Sequence, residues 1–441
     1  MMEDKGRRKG GSRGDRSRGA MTQAVSIKAA SVPLDIEQRD AADPLRHLQA
    51  RFHLPQGMVY LAGNSLGPAP IAAFDDIETA VRKEWAEGLI RSWNDAGWFS
   101  LVDTLGDRIG ALIGAGAGQT VACDSVSVNV YKALHAGLSL RAGRATIVAE
   151  AGSFPTDLYV AEGVVAGRPD IKLLLEGVDA ERIEDLIDER TAVVLINHVD
   201  YKTGELRDMA ALTRLIHDAG AIAVWDLCHS AGVIPVELDN SGADFAVGCT
   251  YKYLNCGPGS PAFIYAATRH HATLRQPLSG WWGHAAPFAF EVGYRPDSGA
   301  RRLLCGTQPI LSLRALNAGL AAIEDVDMAD IRAKSLAMSD LFISLVEETC
   351  SAHKATIVTP RDHATRGSQV SITFESGYSV IQALIARNIV GDFRAPDMMR
   401  FGFSPAYLSF ADVYRAADAF NDVMTSGSWR DERFAKRRAV T

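Results

Sequence analysis

The sequence contains few cysteines, and none of them has the spacing of a metal site. Only six cysteines occur in 441 residues, without a CxxC pair. This argues against a zinc site and a disulfide framework and favours reduced thiols. The adjacent residues His270 and His271 project in different directions on any regular element, so we expect no metal site there either.

Long apolar runs and an excess of basic residues are also missing. No apolar stretch reaches membrane-spanning length. The formal net charge is −7, which does not suit a protein that binds nucleic acid. Together with the reduced thiols, these absences predict a cytoplasmic protein that acts on a small molecule, with no membrane or nucleic-acid partner.

The remaining composition is that of a globular protein with basic ends. Apolar residues make up 47% of the chain and charged residues 22%, enough for a large domain and a smaller one. The segment from Lys5 to Arg18 contains seven basic residues and only one acidic residue, Asp15. This composition predicts a disordered tail; an arm that touches RNA or lipid is the alternative. We predict a disordered basic tail over 1–24, an N-terminal segment joining the small domain over 25–75, a large domain over 76–315, a small C-terminal domain over 316–428 and a frayed basic tail over 429–441.

The middle of the chain alternates between short apolar strands and helices. Continuous apolar runs predict strands at 145–149, 192–196, 221–225 and 244–248, and an amphipathic pattern predicts a helix over 209–218. Such alternation produces parallel βαβ units, in which helices cover both faces of a buried sheet. After about residue 310, long helices and a few strands predict a smaller α+β domain. The predicted fold class is therefore α/β.

Two chemically distinctive residues follow neighbouring predicted strands. Asp226 follows the strand at 221–225, and Lys252 follows the strand at 244–248. Ligands bind at the carboxyl ends of parallel strands. There, the amine suits a Schiff base with pyridoxal phosphate, while the carboxylate suits the protonated pyridine nitrogen that lets the ring accept electrons. From these residues alone, a surface lysine and a helix-capping aspartate are the alternative.

Side chains near these strand ends fit the same cofactor. A neutral imidazole at His229 suits a hydrogen bond to the phenolic oxygen of the cofactor, and a packed histidine is the alternative. Phe154 suits one face of a planar ring, with Thr156 and Asp157 placed to bind its polar edges.

Two further positions suit anionic groups. Ser127 lies just before a predicted helix over 130–140, where unpaired backbone N–H groups attract phosphate. A plain N-cap at Ser125 or Ser127 is the alternative. Arg400 lies in an otherwise apolar strand and suits a substrate carboxylate, with an ion pair to Asp392 or Asp397 as the alternative.

Several segments from about Tyr60 to Phe420 together resemble the kynureninase family of fold-type I pyridoxal-phosphate enzymes, close to the class V aminotransferases. They occur in an order and spacing that are specific as a set. The segments are Gly63-Asn-Ser-Leu-Gly67, Phe154-Pro-Thr-Asp157, His198-Val-Asp-Tyr-Lys-Thr-Gly204, Trp225-Asp-Leu-Cys-His-Ser-Ala-Gly232, Gly248-Cys-Thr-Tyr-Lys-Tyr-Leu-Asn255, Gly257-Pro-Gly259, Gly280-Trp-Trp-Gly-His284, Gly306-Thr-Gln-Pro309, Asp392-Phe-Arg-Ala-Pro396 and Arg400-Phe-Gly402.

The resemblance implies a large domain with a mostly parallel sheet flanked by helices, a small α+β C-terminal domain, and a homodimer with its active site at the subunit interface. It implies hydrolysis of the Cβ–Cγ bond of L-kynurenine or 3-hydroxykynurenine to release alanine, with anthranilate as the other product of kynurenine, in tryptophan catabolism and NAD biosynthesis. Catalytic roles are implied for Lys252, Tyr251 and Asp226. Cofactor contacts are implied for Val126, Ser127, Phe154, Pro155, Thr156, Asp157, Asn197, Asp226, His229, Tyr251, Lys252, Trp281 and Thr307, and substrate contacts for Asn64, Arg400, Trp281 and Thr307.

In this scheme Lys252 removes the Cα proton, which calls for a pKa depressed by burial and by bonding to the cofactor. Tyr251 binds phosphate and is our candidate for deprotonating the hydrated ketone. Trp281 and Thr307 reach the site from the neighbouring subunit.

Three other readings are open at this point. One is a hydrolase of a substituted kynurenine in secondary metabolism. Another is a class V lyase or desulfurase, although neither Cys305 nor Cys350 lies in a segment that suits a mobile nucleophile. The third is an interaction protein without catalysis, which would not need Lys252, Asp226 and Arg400 together.

Overall fold

The computed structural model describes residues 32–437. The predicted tail over 1–24 lies outside the described residues. The α-helices are α1 (Leu34–Ala42), α2 (Ala72–Thr79), α3 (Ser92–Asp95), α4 (Leu101–Leu112), α5 (Val126–Leu140), α6 (Pro155–Ala166), α7 (Met209–Asp218), α8 (Leu238–Ser241), α9 (Ile310–Ala321), α10 (Met328–Ala352), α11 (Gly377–Ile385) and α12 (Phe410–Ser426). A π-helix (Ala80–Gly88) continues α2, and short 3-10 helices cover Arg46–Arg51, Leu89–Arg91, Ile183–Leu186, Thr268–His270, Trp281–Gly283, Pro287–Ala289, Ala300–Leu303, His363–Thr365, Ser428–Arg430 and Glu432–Phe434.

The strands form one large sheet, one smaller sheet and two short pairs. They are β1 (Phe52–His53), β2 (Val59–Tyr60), β3 (Ala69–Pro70), β4 (Thr120–Ala122), β5 (Thr146–Glu150), β6 (Lys172–Glu176), β7 (Thr191–Asn197), β8 (Ile222–Asp226), β9 (Phe245–Gly248), β10 (Phe263–Ala266), β11 (Thr356–Ile357), β12 (Gln369–Thr373), β13 (Ile389–Val390), β14 (Asp392–Arg394) and β15 (Met398–Gly402).

The large sheet has seven strands in the order β4-β10-β9-β8-β7-β5-β6. Only β10 runs antiparallel to its neighbours, so the other six strands point the same way. β7, β8 and β9 are buried along their whole length, which explains why their sequences are continuously apolar instead of alternating. The predicted α/β fold with a mostly parallel sheet is confirmed.

The helix ends follow local capping residues. α7 matches the predicted helix over 209–218, with Asp208 accepting a hydrogen bond from the backbone of Ala211 at 2.9 Å. α5 begins at Val126, four residues before the predicted start, because Ser125 acts as its N-cap.

A second sheet lies in the C-terminal part of the chain. It is antiparallel, in the order β11-β12-β15-β14, and α10 packs against α12 beside it. The N-terminal segment joins this part: β2 pairs with β13, and the carboxylate of Asp40 accepts hydrogen bonds from the first N–H groups of α12, at Phe410 (2.6 Å) and Ala411 (3.0 Å).

The prediction of a frayed end is wrong for the described residues 429–437. Trp429 packs edge-on against Phe374 with ring centroids 5.4 Å apart, and Phe434 is buried. The hydroxyl of Tyr378 donates to the carbonyl of Lys436 at 3.1 Å. Apolar side chains within this basic segment therefore hold it on the small sheet and its helices.

Within residues 32–437, no helix combines the length and hydropathy needed to cross a membrane. The same residues include no cluster of three His, Cys, Asp or Glu side chains able to hold a metal ion.

Candidate active site

The candidate site lies at one edge of the large sheet, where β4, β5, β7, β8 and β9 all end. Because these strands run in the same direction, the residues that follow them are brought together. They line a cavity of about 320 Å³ together with residues of the N-terminal segment and the small sheet. The lining residues are Asn64, Ser65, Asp124, Ser125, Val126, Ser127, Phe154, Thr156, Asp157, Asn197, Tyr201, Asp226, Cys228, His229, Tyr251, Lys252, Gly259, Ser260, Ala262, Arg394 and Arg400.

Lys252 lies on a tightly fixed loop after β9. Its Nζ is 3.0 Å from Nε2 of His229 and 6.0 Å from the ring centroid of Phe154. The backbone of Gly67 donates to the carbonyl of Tyr251 at 2.7 Å, and that of Asn255 donates to the carbonyl of Lys252 at 2.9 Å. These bonds fix the backbone of the loop, and the amine itself lies against His229.

The charges around Lys252 change its protonation and that of its partner. Burial lowers the pKa of Lys252, but its acidic neighbours, Cys249 first, raise it more, so that the pKa lies above its usual value. The depressed pKa predicted for Lys252 depends also on bonding to the cofactor and stays a prediction. The pKa of His229 is held well below its usual value by burial and then by the charge of Lys252, so the imidazole is neutral, as predicted.

Asp226 and Asp157 form a carboxyl pair beneath the cavity. Oδ1 of Asp226 accepts a hydrogen bond from the backbone of Cys228 at 2.6 Å. The pKa of Asp157 is raised well above its usual value, because burial disfavours its charge and Asp226 repels it. Asp157 is therefore a neutral acid, and its Oδ2 has no hydrogen-bond partner among the described residues.

The start of α5 forms the anion-binding end of the cavity. Val126 and Ser127 are its first residues, so unpaired N–H groups face the cavity. The preceding turn has Asp124 at φ 53°, and Nζ of the buried Lys132 holds its carboxylate at 2.5 Å. Ser125 therefore caps the same helix terminus whose free N–H groups suit an anion.

Other residues line the cavity between the Lys252 loop and the start of α5. Phe154 meets Tyr201 edge-on with ring centroids 5.3 Å apart, and Nδ2 of Asn197 donates to Oγ of Ser153 at 2.8 Å. Thr156 lines the cavity, whereas Pro155 does not and instead begins α6.

Arg400 is buried and already paired. Its Nε and Nη2 hold the two oxygens of Asp392 at 2.6 and 2.5 Å, and its Nη1 donates to the carbonyl of Tyr201 at 2.6 Å. The alternative of an ion pair with Asp392 is therefore realised, and the one with Asp397 is not. Two of the five guanidinium N–H groups are left over by these contacts, and Arg400 lines the cavity.

Asn64 stands beside this arginine. Its Nδ2 donates to Oε1 of Gln369 at 3.1 Å, while its Oδ1 is buried without a hydrogen-bond partner among the described residues. Gln369 in turn donates to the carbonyl of Tyr201 at 3.0 Å, which fixes the amide orientation and leaves Oδ1 of Asn64 as an acceptor.

Trp281 and Thr307 do not line the cavity of their own chain. Both are exposed, Trp281 to 42% of its surface.

The cavity fits pyridoxal phosphate chemically. It combines a fixed lysine, a carboxylate for a ring nitrogen, an aromatic face and a helix N-terminus for phosphate. Nδ1 of His229, Oδ2 of Asp157 and Oδ1 of Asn64 are buried polar atoms that lack partners among the described residues, which is expected where a polar ligand completes the site.

Comparison with known proteins gives the family. The Kynureninase C-terminal domain family matches residues 331–420. Kynureninase from Pseudomonas fluorescens is 49% identical over 407 residues, covering 91% of this chain and 98% of that protein. Kynureninase from Burkholderia pseudomallei (strain 1106a) matches with the same identity and coverage.

The chain belongs to the kynureninase family. This confirms the resemblance drawn from the sequence motifs, and with it pyridoxal phosphate as the cofactor.

Solved structures that resemble the chain show the wider fold. The cysteine desulfurase CsdA from Escherichia coli has a TM-score of 0.72 at 16% identity, covering 87% of this chain and 98% of that one. A C-DES mutant with glycine covalently linked to the PLP cofactor has a TM-score of 0.72 at 15% identity, covering 84% and 99%. These likenesses establish fold type I and nothing about the reaction of this kynureninase-family chain.

The sequence predicted most of the cavity lining. The lining residues absent from the predicted site are Ser65, Asp124, Ser125, Tyr201, Cys228, Gly259, Ser260, Ala262 and Arg394. Ser65, Tyr201, Cys228, Gly259 and Arg394 lie within the motif segments, so the family pattern contained the signal. The other four lie in loops whose placement depends on tertiary contacts.

Proposed function

We propose that this chain hydrolyses L-kynurenine at the Cβ–Cγ bond to anthranilate and L-alanine, as a cytoplasmic homodimer in tryptophan catabolism and NAD biosynthesis. The proposal rests on one observation: a single cavity is lined by Lys252, by Asp226 and by Arg400, which has two N–H groups without a hydrogen-bond acceptor. An amine, an acid partner and a carboxylate receptor are what an α-amino-acid substrate of such an enzyme requires.

Holding the cofactor falls to residues at the strand ends. Lys252 anchors it covalently, Asp226 holds its ring nitrogen, Phe154 covers one ring face, and Val126 and Ser127 donate to its phosphate. Thr156, Asp157, Asn197, His229 and Tyr251 complete the set of contacts. When bound, pyridoxal phosphate supplies an electron sink for negative charge that develops on the substrate.

Binding the substrate falls to the small-sheet side of the cavity. The two remaining N–H groups of Arg400 match the two oxygens of an α-carboxylate, and Asp392 prevents the guanidinium from turning away. Oδ1 of Asn64 offers an acceptor next to it. Tyr201 and Phe154 give this side an aromatic wall that suits the aryl ketone.

Proton transfer falls to Lys252 and its neighbours. In its unprotonated form Lys252 takes the proton from the substrate Cα, and the neutral imidazole of His229 lies 3.0 Å from its Nζ as a hydrogen-bond acceptor. Burial raises the pKa of Tyr251 well above its usual value, so Tyr251 enters as a neutral phenol. A neutral phenol can relay a proton from the water that adds at the substrate Cγ to an acceptor. It is not present as a phenolate and so does not act as a general base.

The partner subunit completes the site. Trp281 and Thr307 are exposed away from their own cavity, so we place them in the cavity of a second copy. The segment around Trp281 also exposes Phe288, Phe290 and Val292 to 65%, 83% and 107% of their reference surface, an apolar patch that a subunit interface would cover. We also propose the division into a large domain over 76–315 and a small domain over 316–428, supported by the two separate sheets.

A desulfurase role is disfavoured by the thiols. Cys350 is buried in α10, and burial raises its pKa to about 12. The pKa values of Cys305 and of the cavity residue Cys228 are also raised. Since the thiolate is the nucleophile in that chemistry, these three positions do not serve it. The pKa of Cys249 is lowered, but Cys249 is buried and does not line the cavity.

The test is a comparison of specificity constants for kynurenine, 3-hydroxykynurenine and other ring-substituted analogues, with alanine release measured for each. We expect turnover of kynurenine by the holoenzyme, loss of at least about a thousandfold in Lys252→Gln, and fixation of the cofactor on Lys252 by borohydride. Preference for a bulkier analogue would favour the secondary-metabolism hydrolase. A colourless protein that pyridoxal phosphate does not reconstitute would favour an interaction protein.

A further inference from the structure

A second cavity lies outside the active site, between the segment after β10 and the segment that leads to α9. It has a volume of about 340 Å³ and is lined by Ala272, Thr273, Leu274, Arg275, Gln276, Ser279, Tyr294, Pro296 and Arg302. No acidic residue is among these lining residues. Two arginines and several hydroxyl groups therefore line one cavity.

Arg302 is unusual among the buried basic residues of the described chain. It is only 8% exposed, and five Lys or Arg residues in all are buried to this degree. The other four each pair with a carboxylate: Lys132 with Asp124, Lys334 with Asp43, Arg366 with Asp340 and Arg400 with Asp392. Within residues 32–437, Arg302 has no such ion pair. A largely buried cation without an ion pair favours an anion at the place where its free donors reach the cavity.

The hydrogen bonds of Arg302 leave donors free for that anion. Its Nε donates to the carbonyl of Asp297 at 2.8 Å, and its Nη1 makes a long contact of 3.4 Å with the carbonyl of Leu274. Both acceptors are neutral. Nη2 and one N–H of Nη1 make no hydrogen bond to described residues, so three donors remain on the lining of the cavity.

The carboxylate of Asp297 attracts Arg302 without forming an ion pair with it, and its hydrogen bonds go to other residues. Oδ1 of Asp297 accepts from the backbone of Ser298 at 2.6 Å and of Gly299 at 3.4 Å, and its Oδ2 is 3.6 Å from Nε of Arg301. Asp297 is not among the lining residues of the cavity.

Arg275 adds a second positive charge from the open side. Its backbone N–H is fixed to Oγ of Ser139 on α5 at 3.2 Å, and its side chain is exposed and lines the cavity. Burial lowers the pKa of Arg302 most, Tyr294 and the carboxylate of Asp297 raise it, and the charge of Arg275 lowers it by a smaller amount. Two like charges held together in this way favour a ligand with two negative charges over one with a single charge.

We propose that this cavity binds a tetrahedral oxyanion of the phosphate class, with Arg302 as the buried donor and Arg275 as the outer one. Hydroxyl groups of Thr273 and Ser279 lie on the same lining and suit the remaining oxygens. The site is separate from the seat for the cofactor phosphate at the start of α5. Free phosphate and a phosphate monoester share the chemistry, and the cavity has room for either.

The experiment uses the holoenzyme, so that the cofactor already fills its own phosphate seat. Thermal unfolding is followed against inorganic phosphate and, separately, glycerol 3-phosphate, each with sodium chloride at matched ionic strength. We expect a saturable rise in Tm above the chloride control. The stronger of the two ligands identifies the source of the phosphate group.

The variant Arg275→Gln removes an exposed side chain and is expected to fold. We expect its phosphate affinity to fall by about tenfold or more, as for loss of a charge-assisted hydrogen bond. Arg302→Lys keeps the positive charge but loses the planar set of N–H donors of the guanidinium, so we expect it to weaken binding as well. The matched control Arg214→Gln, on the exposed face of α7, should retain the affinity of the unaltered chain. A crystal structure of the holoenzyme in phosphate should place the anion on Arg302.

Three outcomes would overturn the proposal. One is a Tm response no larger than that of chloride. Another is a response that both arginine variants retain. The third is a crystal structure in which a carboxylate of a second copy, and no oxyanion, occupies the cavity.

Discussion

At the scale of single residues, the pairing of Arg400 determines how it binds substrate. Asp392 takes the side of the guanidinium formed by Nε and Nη2, at 2.6 and 2.5 Å. The carbonyl of Tyr201 takes one N–H of Nη1. The guanidinium is therefore oriented before substrate arrives, which reduces the entropy that binding has to remove.

We expect Asp392→Asn to raise KM for kynurenine by about tenfold or more, since the neutral amide holds Arg400 less firmly. The affinity for pyridoxal phosphate should change much less, because Asp392 does not line the cofactor end of the cavity. Steady-state kinetics and a cofactor titration measure the two effects. Asp397→Asn, on the same hairpin without a contact to Arg400, is the control. An unchanged KM in Asp392→Asn would contradict this positioning role.

Glu150 is a second residue with an unusual environment. It ends β5 beside Nη2 of Arg207, at 2.5 Å, and burial raises its pKa to about 7. Because the unfolded carboxyl has a pKa near its ordinary value, between about pH 4.5 and 7 the folded state holds a proton that the unfolded state has released. The contribution of Glu150 to stability is therefore highest at the acidic end of this window and declines as the pH rises.

We expect Glu150→Gln to remove a pH-dependent term of at most about 3–4 kcal/mol from the free energy of unfolding. Relative to the variant, the unaltered chain should lose stability from about pH 4.5 to pH 7. Urea unfolding of the holoenzyme at several pH values measures this. Arg207 is a quarter exposed, so water can solvate it in the variant. Parallel pH profiles for the two proteins would show that Glu150 does not titrate there.

At the scale of elements, one loop contact positions the cofactor lysine. A Cβ placed on Gly67 would lie 2.5 Å from the carbonyl oxygen of Lys252 and 2.3 Å from Oδ1 of Asn255. Backbone atoms at such distances cannot accommodate a side chain without a shift of the loop. The glycine at the end of the Gly63–Gly67 motif therefore permits close approach of the N-terminal segment to the loop after β9.

We expect Gly67→Ala to lower cofactor occupancy and turnover together, because the Lys252 loop has to move, and to destabilise the fold by about 1–3 kcal/mol. Absorbance of the bound cofactor, activity and thermal unfolding are the measurements. Gly163→Ala in α6 is the matched control, since a Cβ there meets nothing within 4 Å; it should be neutral or slightly stabilising. Full cofactor occupancy in Gly67→Ala would contradict the argument.

The elements that the sequence predicted best are those whose signal is local. The buried strands β7, β8 and β9 have continuous apolar sequences, so their ends were predicted to within one residue. The start of α5 was missed by four residues, because Ser125 could be chosen as its cap only once the preceding turn at Asp124 was known. The partner of Arg400 was open between Asp392 and Asp397, since their order along the hairpin does not determine which carboxylate reaches a buried guanidinium.

At the scale of the whole molecule, the candidate site needs contributions that one chain does not bring together. Most residues predicted for the cofactor line one cavity, but Pro155 does not, and Trp281 and Thr307 are exposed outside it. Sequence motifs identify such residues without showing which subunit they serve. The sequence contained no signal for the cavity of Arg302. Its defining property is that no carboxylate pairs with Arg302, and the residues around Arg302 are known only from the fold.

The shared site can be tested by mixing two inactive variants. Lys252→Gln removes the amine, and a Trp281→Ala, Thr307→Ala double variant removes the side chains proposed to cross the interface. In a mixed dimer, one of the two sites combines an intact Lys252 from one subunit with intact Trp281 and Thr307 from the other. Random exchange makes half of the dimers mixed, so we expect about a quarter of the normal activity to return. Each variant alone should remain nearly inactive at the same total concentration. If mixing and refolding restored nothing while light scattering showed dimers, Trp281 and Thr307 would have to act in their own subunit, and the exposed segment around Trp281 would have to fold back over its own cavity.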